Sequence, residues 1–182
     1  MSLKESRVVV VGGGAAGFFG AIACAEDSGG RLDIRILEGS REVLEKVRIS
    51  GGGRCNVTHD QDDPRILARF YPRGADALIG PLNRWRQSDT VAWFAARGVE
   101  LKTEDDGRMF PVSNRSSTVV NCLQEAARAL HITVETGAAV NEILTHADRG
   151  FKVVARGMED ICCDAVLIAT GGVRNALARA PV

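Results

Sequence analysis

Four consecutive valines, Val8 to Val11, open the chain's apolar pattern. A run with no polar alternation predicts a parallel strand covered on both faces, here over 7–12. Small apolar residues follow at helical spacing from Ala15, and predict a closely packed helix over 15–28 that Gly29-Gly30 stops. Leu32-Asp-Ile-Arg-Ile-Leu37 then reads as a second strand over 32–38, giving a first βαβ unit whose crossover is expected to be right-handed. Gly51-Gly52-Gly53 interrupts the next charged helical segment. Short helices separated by Pro72, Gly74 and Pro81 are expected between Pro64 and Gly98, the last being Asp89–Arg97 with Val91, Trp93 and Phe94 inside. A strand over 99–102 is expected to turn back through Asp105-Asp106-Gly107, and a helix to run from Asn114 to Leu130. Beyond it come a strand at 132–135, a hairpin of 139–144 and 150–155 about Asp148-Arg149-Gly150, and a buried strand at 165–170 entering Gly171-Gly172. Alternating strands and helices with one antiparallel insertion define an α/β chain, with no repeat and no low-complexity stretch.

The junction between the first strand and the first helix carries chemistry. Gly12, Gly14 and Gly17 stand in a GxGxxG spacing immediately after the strand. In such a turn the first glycine permits the tight bend, the second lets backbone approach a pyrophosphate, and the third lets the helix press on the sheet. The unpaired amides that begin the helix, at Ala15 and Ala16, face the phosphates. Glycine spacing alone also fits a purely structural turn. The joint pattern includes Glu38 at the end of the second strand, where a carboxylate accepts hydrogen bonds from an adenosine ribose and would repel a 2′-phosphate, although Arg35 and Arg41 stand nearby. Taken alone, Glu38 is equally well a surface carboxylate.

Composition narrows the remaining classes. With 23 basic and 23 acidic residues the formal charge is zero, so no global field attracts nucleic acid. Arg65, Arg69, Arg73, Arg84 and Arg86 alternate with Phe70, Tyr71 and Trp85; this stretch is expected to be a solvated helical face with a packed underside. No secretory segment and no apolar run of about 18 residues is present, and the expected location is the cytoplasm with no membrane partner. Cys24, Cys55, Cys122, Cys162 and Cys163 are an odd, irregular set without disulfide or zinc spacing, and the adjacent pair reads as buried or edge-strand thiols.

Ile49-Ser-Gly-Gly-Gly-Arg-Cys-Asn-Val-Thr58 is more specific. Together with the glycine turn, Glu38, Lys46, Gly107-Arg-Met-Phe-Pro111 and Ala169-Thr-Gly-Gly172, it resembles the amino-terminal portion of the HI0933-like, or BaiN-like, FAD-dependent flavoproteins. The resemblance covers nearly the whole chain. It implies a Rossmann-like FAD/NAD(P)-binding domain of glutathione-reductase type, a parallel sheet with an antiparallel crossover at about 139–162 and a helical insertion at about 60–98. It further implies that Gly12, Gly14, Ala15, Ala16 and Gly17 hold the FAD pyrophosphate, Glu38 and Gly39 the adenosine side, and Val140 the adenine through its backbone. Lys46, Gly53, Arg54, Cys55, Asn56 and Thr58 line the cofactor path, and Ala169, Thr170 and Gly171 close it. The residues' own chemistry leaves alternatives open: Lys46 and Arg54 suit exposed positions as well as phosphates, and Asn56 and Thr58 suit loop or helix caps. Cys55 as a redox thiol is outweighed by a small buried residue, and His59 as a proton donor by a solvent-facing loop histidine. Arg108 and Phe110 are expected as a salt-bridged hairpin residue and a core anchor.

Relatives of this pattern continue into a second domain and a returning FAD segment, so the resemblance implies an incomplete domain over 1–182, with an open face for self-association or a partner. The expected function is FAD-dependent hydride or electron transfer to an unidentified small organic substrate, with NAD(P)H as transient donor. No second GxGxxG cassette marks a separate nicotinamide domain. No catalytic residue and no metal site is assigned. The competing readings are a noncatalytic, partner-dependent FAD module and an NAD-binding dehydrogenase domain.

Overall fold

The computed structural model describes residues 6–147 and 150–172. They form two compact units, one of residues 6–45, 123–147 and 150–172, the other of residues 46–122.

In the first unit, β1 (Ser6–Val11), β2 (Leu32–Leu37), β6 (Thr133–Glu135) and β10 (Ala165–Ile168) make a four-stranded sheet in the order β10-β1-β2-β6. All three pairings are parallel, with Val8 beside Ile34 on one side and Ala165 on the other. The helix α1 (Ala15–Asp27) joins β1 to β2 and buries Phe18, Ala21, Ile22 and Ala25. Side chains alternate across a strand. Val9, Val11 and Leu37 therefore share a core with Val153, Ala155, Ile161 and Cys163 of a second, antiparallel sheet. That sheet is β7 (Val140–His146), β8 (Gly150–Ala155) and β9 (Ile161–Cys163) in sequential order. The tip of the expected hairpin, Asp148-Arg149, lies outside the described residues, as does everything from Val173.

Two features depart from the sequence expectation here. β9 has no counterpart in the periodicity reading; it places Cys163 opposite Phe151 and Cys162 opposite Lys152. The final strand stops at Ile168 rather than 170; beyond it the Ala169 amide still donates to the Val11 carbonyl, and the chain passes close to the bare Cα of Gly12.

The second unit holds β3 (Thr58–His59), β4 (Leu101–Thr103) and β5 (Arg108–Pro111) in an antiparallel sheet ordered β3-β5-β4. Around it run α3 (Pro64–Ala68), α4 (Ala75–Arg84) and α5 (Gln87–Ala95). The expected helical insertion is therefore part of a larger unit with a sheet of its own. Asp63 caps α3 by accepting from the Arg65 amide at 2.8 Å, with Pro64 at the first helical position. Pro81 lies inside α4 instead of ending it. Gly80 before it has no Cβ to meet the proline ring, which relieves the clash with the preceding residue. The packed underside expected for the arginine stretch is limited. Leu67 and Ala68 are buried, whereas α4 buries no residue fully and Phe70, Tyr71 and Trp85 are exposed. Trp93, Phe94, Met109, Phe110 and Val120 supply the core. The chain crosses between the units within α2 (Glu45–Gly53) and α6 (Ser116–Ala129).

Candidate functional site

The first glycine turn is built almost wholly from backbone contacts. Gly12 has φ +113°, and a Cβ there would lie 2.5 Å from the Ala169 carbonyl oxygen. A Cβ on Gly17 would come within 1.9 Å of the Gly12 carbonyl oxygen. These two glycines are required by the protein's own packing. Gly14 differs: its φ of −84° and ψ of −174° suit any residue, and a Cβ would meet, beyond its chain neighbours, no atom of the described residues within 4 Å. The space above it is open, at the start of α1, where Ala15 and Ala16 are exposed.

Glu38 closes this turn from the second strand. Its carboxylate accepts from the Gly13 amide at 2.7 Å and the Ser40 amide at 2.8 Å. Burial pushes the carboxyl up, but hydrogen bonds from the Ser40 amide, the Gly13 amide, the Ser40 hydroxyl and the Gly39 amide outweigh it and hold Glu38 below the usual carboxylate range. The half-buried group is therefore ionised at neutral pH and purely an acceptor. Two oxygens carry about four acceptor directions, and the two short bonds, from the Gly13 and Ser40 amides, take one on each oxygen. The Glu38 carbonyl also receives the Ala138 amide at 2.8 Å, and the Ser40 carbonyl the Gly137 amide at 2.7 Å. These bonds bring Gly39 against Ala139, with Val140 next in sequence at the head of β7. Ala169 stands beside Gly12 and donates its amide to the Val11 carbonyl; Thr170 and Gly171 follow, exposed. The expected residues of this unit thus converge at the carboxyl ends of the parallel strands, where open α/β sheets bind ligands.

The second set belongs to the other unit. Lys46 is exposed in α2. After Ser50 the chain enters left-handed conformation at Gly51 (φ 56°), Gly52 (φ 68°) and Gly53 (φ 85°), and again at Cys55 (φ 64°). Only glycine adopts such a series freely. Gly51 is also packed, since a Cβ there would lie 2.7 Å from the Phe110 ring, whereas Gly52 faces open space. Arg54 is not a free cation. It pairs with both oxygens of Glu104, donates from Nε to the Gly51 carbonyl at 3.4 Å, and stacks with its guanidinium carbon 4.0 Å from the Phe110 ring centre. Asn56, with its amide nitrogen turned inward, donates to the Thr58 carbonyl at 2.9 Å and the Met109 carbonyl at 3.3 Å. Thr58 pairs with Met109 across β3 and β5.

Cys55 is buried, and burial pushes its thiol up against a smaller opposing hydrogen bond from Ser50. That disfavours the nucleophilic thiolate. His59 is half-buried: its ring lies 3.8 Å from the Phe70 ring and packs over Gly107. Arg108 pairs with Asp106 at 2.7 Å and Phe110 is fully buried, as anticipated. Glu104, the partner of Arg54, went unnoticed in the sequence because nothing local distinguishes it from the acidic turn that follows. Among the described residues no cluster of histidine, cysteine and carboxylate side chains is arranged to hold a metal ion, and no helix is long and apolar enough to cross a membrane.

A four-stranded parallel sheet, the covering antiparallel sheet and a glycine turn at the strand ends define a Rossmann-like α/β fold. Residues 6–177 match the HI0933-like protein Rossmann domain, and the chain belongs to that family of FAD-dependent oxidoreductases. It is similar to the 3-dehydro-bile acid delta(4,6)-reductase of Clostridium scindens, with 29% identity over 167 residues, 92% of this chain and 39% of that protein. It is also similar to the ribosomal RNA dihydrouridine synthase of Escherichia coli, with 25% identity over 94% of this chain and 40% of that protein. The chain thus spans about two-fifths of the length of these relatives. Among solved structures, a 3-ketosteroid-delta4-(5alpha)-dehydrogenase from Rhodococcus jostii shares the fold, with TM-score 0.60 and 18% identity over 94% of this chain and 47% of that one.

Proposed function

We propose that this chain is the FAD-binding part of an oxidoreductase that reduces an organic substrate. One observation carries the reading: Gly14 has an ordinary backbone conformation and an empty Cβ position, so no crowding among the described residues accounts for a glycine there. A ligand whose pyrophosphate lies against that backbone does. The residues present fit such a group. Amides at the start of α1 donate to the pyrophosphate, ionised Glu38 accepts from the ribose hydroxyls, and Val140 offers backbone to the adenine. We assign the glycine loop at 51–53, with Asn56 and Thr58, and separately Ala169, Thr170 and Gly171, to contacts with the cofactor. Arg54, neutralised by Glu104, serves this loop rather than a phosphate.

FAD, when bound, supplies hydride or electron exchange, with NAD(P)H as transient donor and a small organic acceptor. The two named curated relatives are a reductase of a bile-acid derivative and a synthase of dihydrouridine in RNA; reduction of a carbon–carbon double bond is the chemistry we assign to the whole protein.

Equilibrium titration of the chain with FAD, followed by its visible spectrum, tests the reading. Saturable binding with a perturbed flavin spectrum is expected. A folded chain that leaves the free-flavin spectrum unchanged would refute it, and binding without reduction by NADH or NADPH would favour a noncatalytic, partner-dependent module.

A further inference from the structure

The left-handed loop needs an explanation of how it is held. Its glycines make the conformation accessible but do not select it, because glycine populates left- and right-handed regions about equally. Selection has to come from contacts made by the residues around the glycines. Ser50 contributes through its carbonyl, which accepts the Cys55 amide at 3.0 Å. Asn56 holds one end through the Thr58 and Met109 carbonyls, and a further restraint is Arg54, whose Nε reaches back to Gly51 while its guanidinium lies on Phe110. A guanidinium on a mobile stem keeps that pose only if something fixes its far edge. Glu104, at the start of the turn between β4 and β5, engages both terminal nitrogens. Glu104 is fixed in turn: its amide donates to the Arg108 carbonyl at 2.9 Å and its carbonyl accepts the Gly107 amide at 2.8 Å. The two side chains are 34% and 27% exposed, so solvent screens the pair only in part.

We propose that Glu104 is the positioning residue of the glycine loop, acting through Arg54 to lock Gly51–Asn56 into the shape that receives the cofactor. The β4–β5 turn thereby reads the loop's conformation. The same pairing balances the Arg54 charge beside Phe110. This rests on the FAD reading for its effect on binding, but not for its effect on the loop.

The test uses the 182-residue chain with Glu104→Ala, Glu104→Asp, Arg54→Ala and the double variant, in two measurements. The first is backbone amide exchange at Gly52, Gly53, Arg54 and Asn56 without FAD. Glu104→Ala is expected to speed it about tenfold, the lower end for losing a charged hydrogen bond. Glu104→Asp keeps the charge and slows exchange back toward the parent. The second is FAD affinity, expected to fall about tenfold in Glu104→Ala and no further in the double variant than in Arg54→Ala. Unchanged loop exchange in a folded Glu104→Ala chain overturns the proposal, as does full additivity of the two alanine substitutions. If the parent binds no FAD, the function reading fails by itself and loop exchange still decides the role of Glu104.

Discussion

Gly14 and Gly17 lie three residues apart in one motif, yet alanine at each should do opposite things. At Gly17 the new methyl would sit 1.9 Å from a backbone oxygen, where ordinary contact begins at 3.4 Å, so α1 must move about 1.5 Å from the turn. Alanine gains about 1 kcal/mol of helix propensity. Overpacking costs about 1–3 kcal/mol, or more where the obstacle is backbone. A net loss of about 2 kcal/mol follows, which lowers the melting temperature by about 4–8 °C in a chain of this size. At Gly14 there is no clash to relieve. Reduced unfolded-state entropy contributes about 0.4–1 kcal/mol and the poorer helix cap costs about 0.5 kcal/mol, so stability should stay within about 0.5 kcal/mol. The methyl does obstruct the ligand, and displacing even one charge-assisted hydrogen bond weakens FAD binding about tenfold or more. Urea denaturation and FAD titration of both variants separate the cases. If Gly14→Ala binds FAD as tightly as the parent, or if it destabilises as much as Gly17→Ala, the assignment of Gly14 to the ligand is wrong.

Three further outcomes are expected. Glu38→Gln should weaken FAD binding and destabilise the chain by about 1–2 kcal/mol at pH 7, through poorer acceptance from Gly13 and Ser40. Because the folded Glu38 titrates below the ordinary value of 4.5, its contribution is complete above that value and disappears as pH falls through the lower folded value; denaturation midpoints of parent and variant should therefore converge in acid. Cys55 should resist a thiol reagent at pH 8 in the native chain and react on unfolding, since burial raises its thiol; rapid native labelling, read by peptide mass spectrometry, would contradict this. Phe110→Ala should cost about 3–5 kcal/mol by emptying a fully buried position beneath Arg54, and a chemical-denaturation difference below about 1 kcal/mol would show that the loop does not rest on that ring.

Much of the first unit was legible because its signals are local. Four successive valines admit little other than a covered strand, and the motif's glycines fix the turn that must follow. What escaped reading depends on partners distant in sequence. β3 is two residues long and exists only because Thr58 and His59 meet Met109 and Arg108; a pair of residues has no period. β9 is likewise defined by its register with β8. Pro81 was read as a break because its missing amide weighs more in a sequence than the absent Cβ of Gly80. The pairing of Arg54 with Glu104 spans 50 residues, and no acid in the run 104–106 is marked out until the hairpin folds.

The position of β1 bears on how the chain acquires its structure. β1 is central, yet one neighbour is β10, and the bond from the Arg7 amide to the Asp164 carboxylate closes a separation of 157 residues. Gly12 likewise packs on Ala169. During synthesis from the amino terminus, β1, α1 and β2 can associate early, but one edge of β1 has no strand to pair with until residues 165–168 emerge. Such non-local pairing is slow, and an unpaired valine strand is an invitation to aggregation while it waits. The glycine turn should therefore be among the last parts of the molecule to mature, and FAD present during refolding should raise the yield by capturing the turn as it closes.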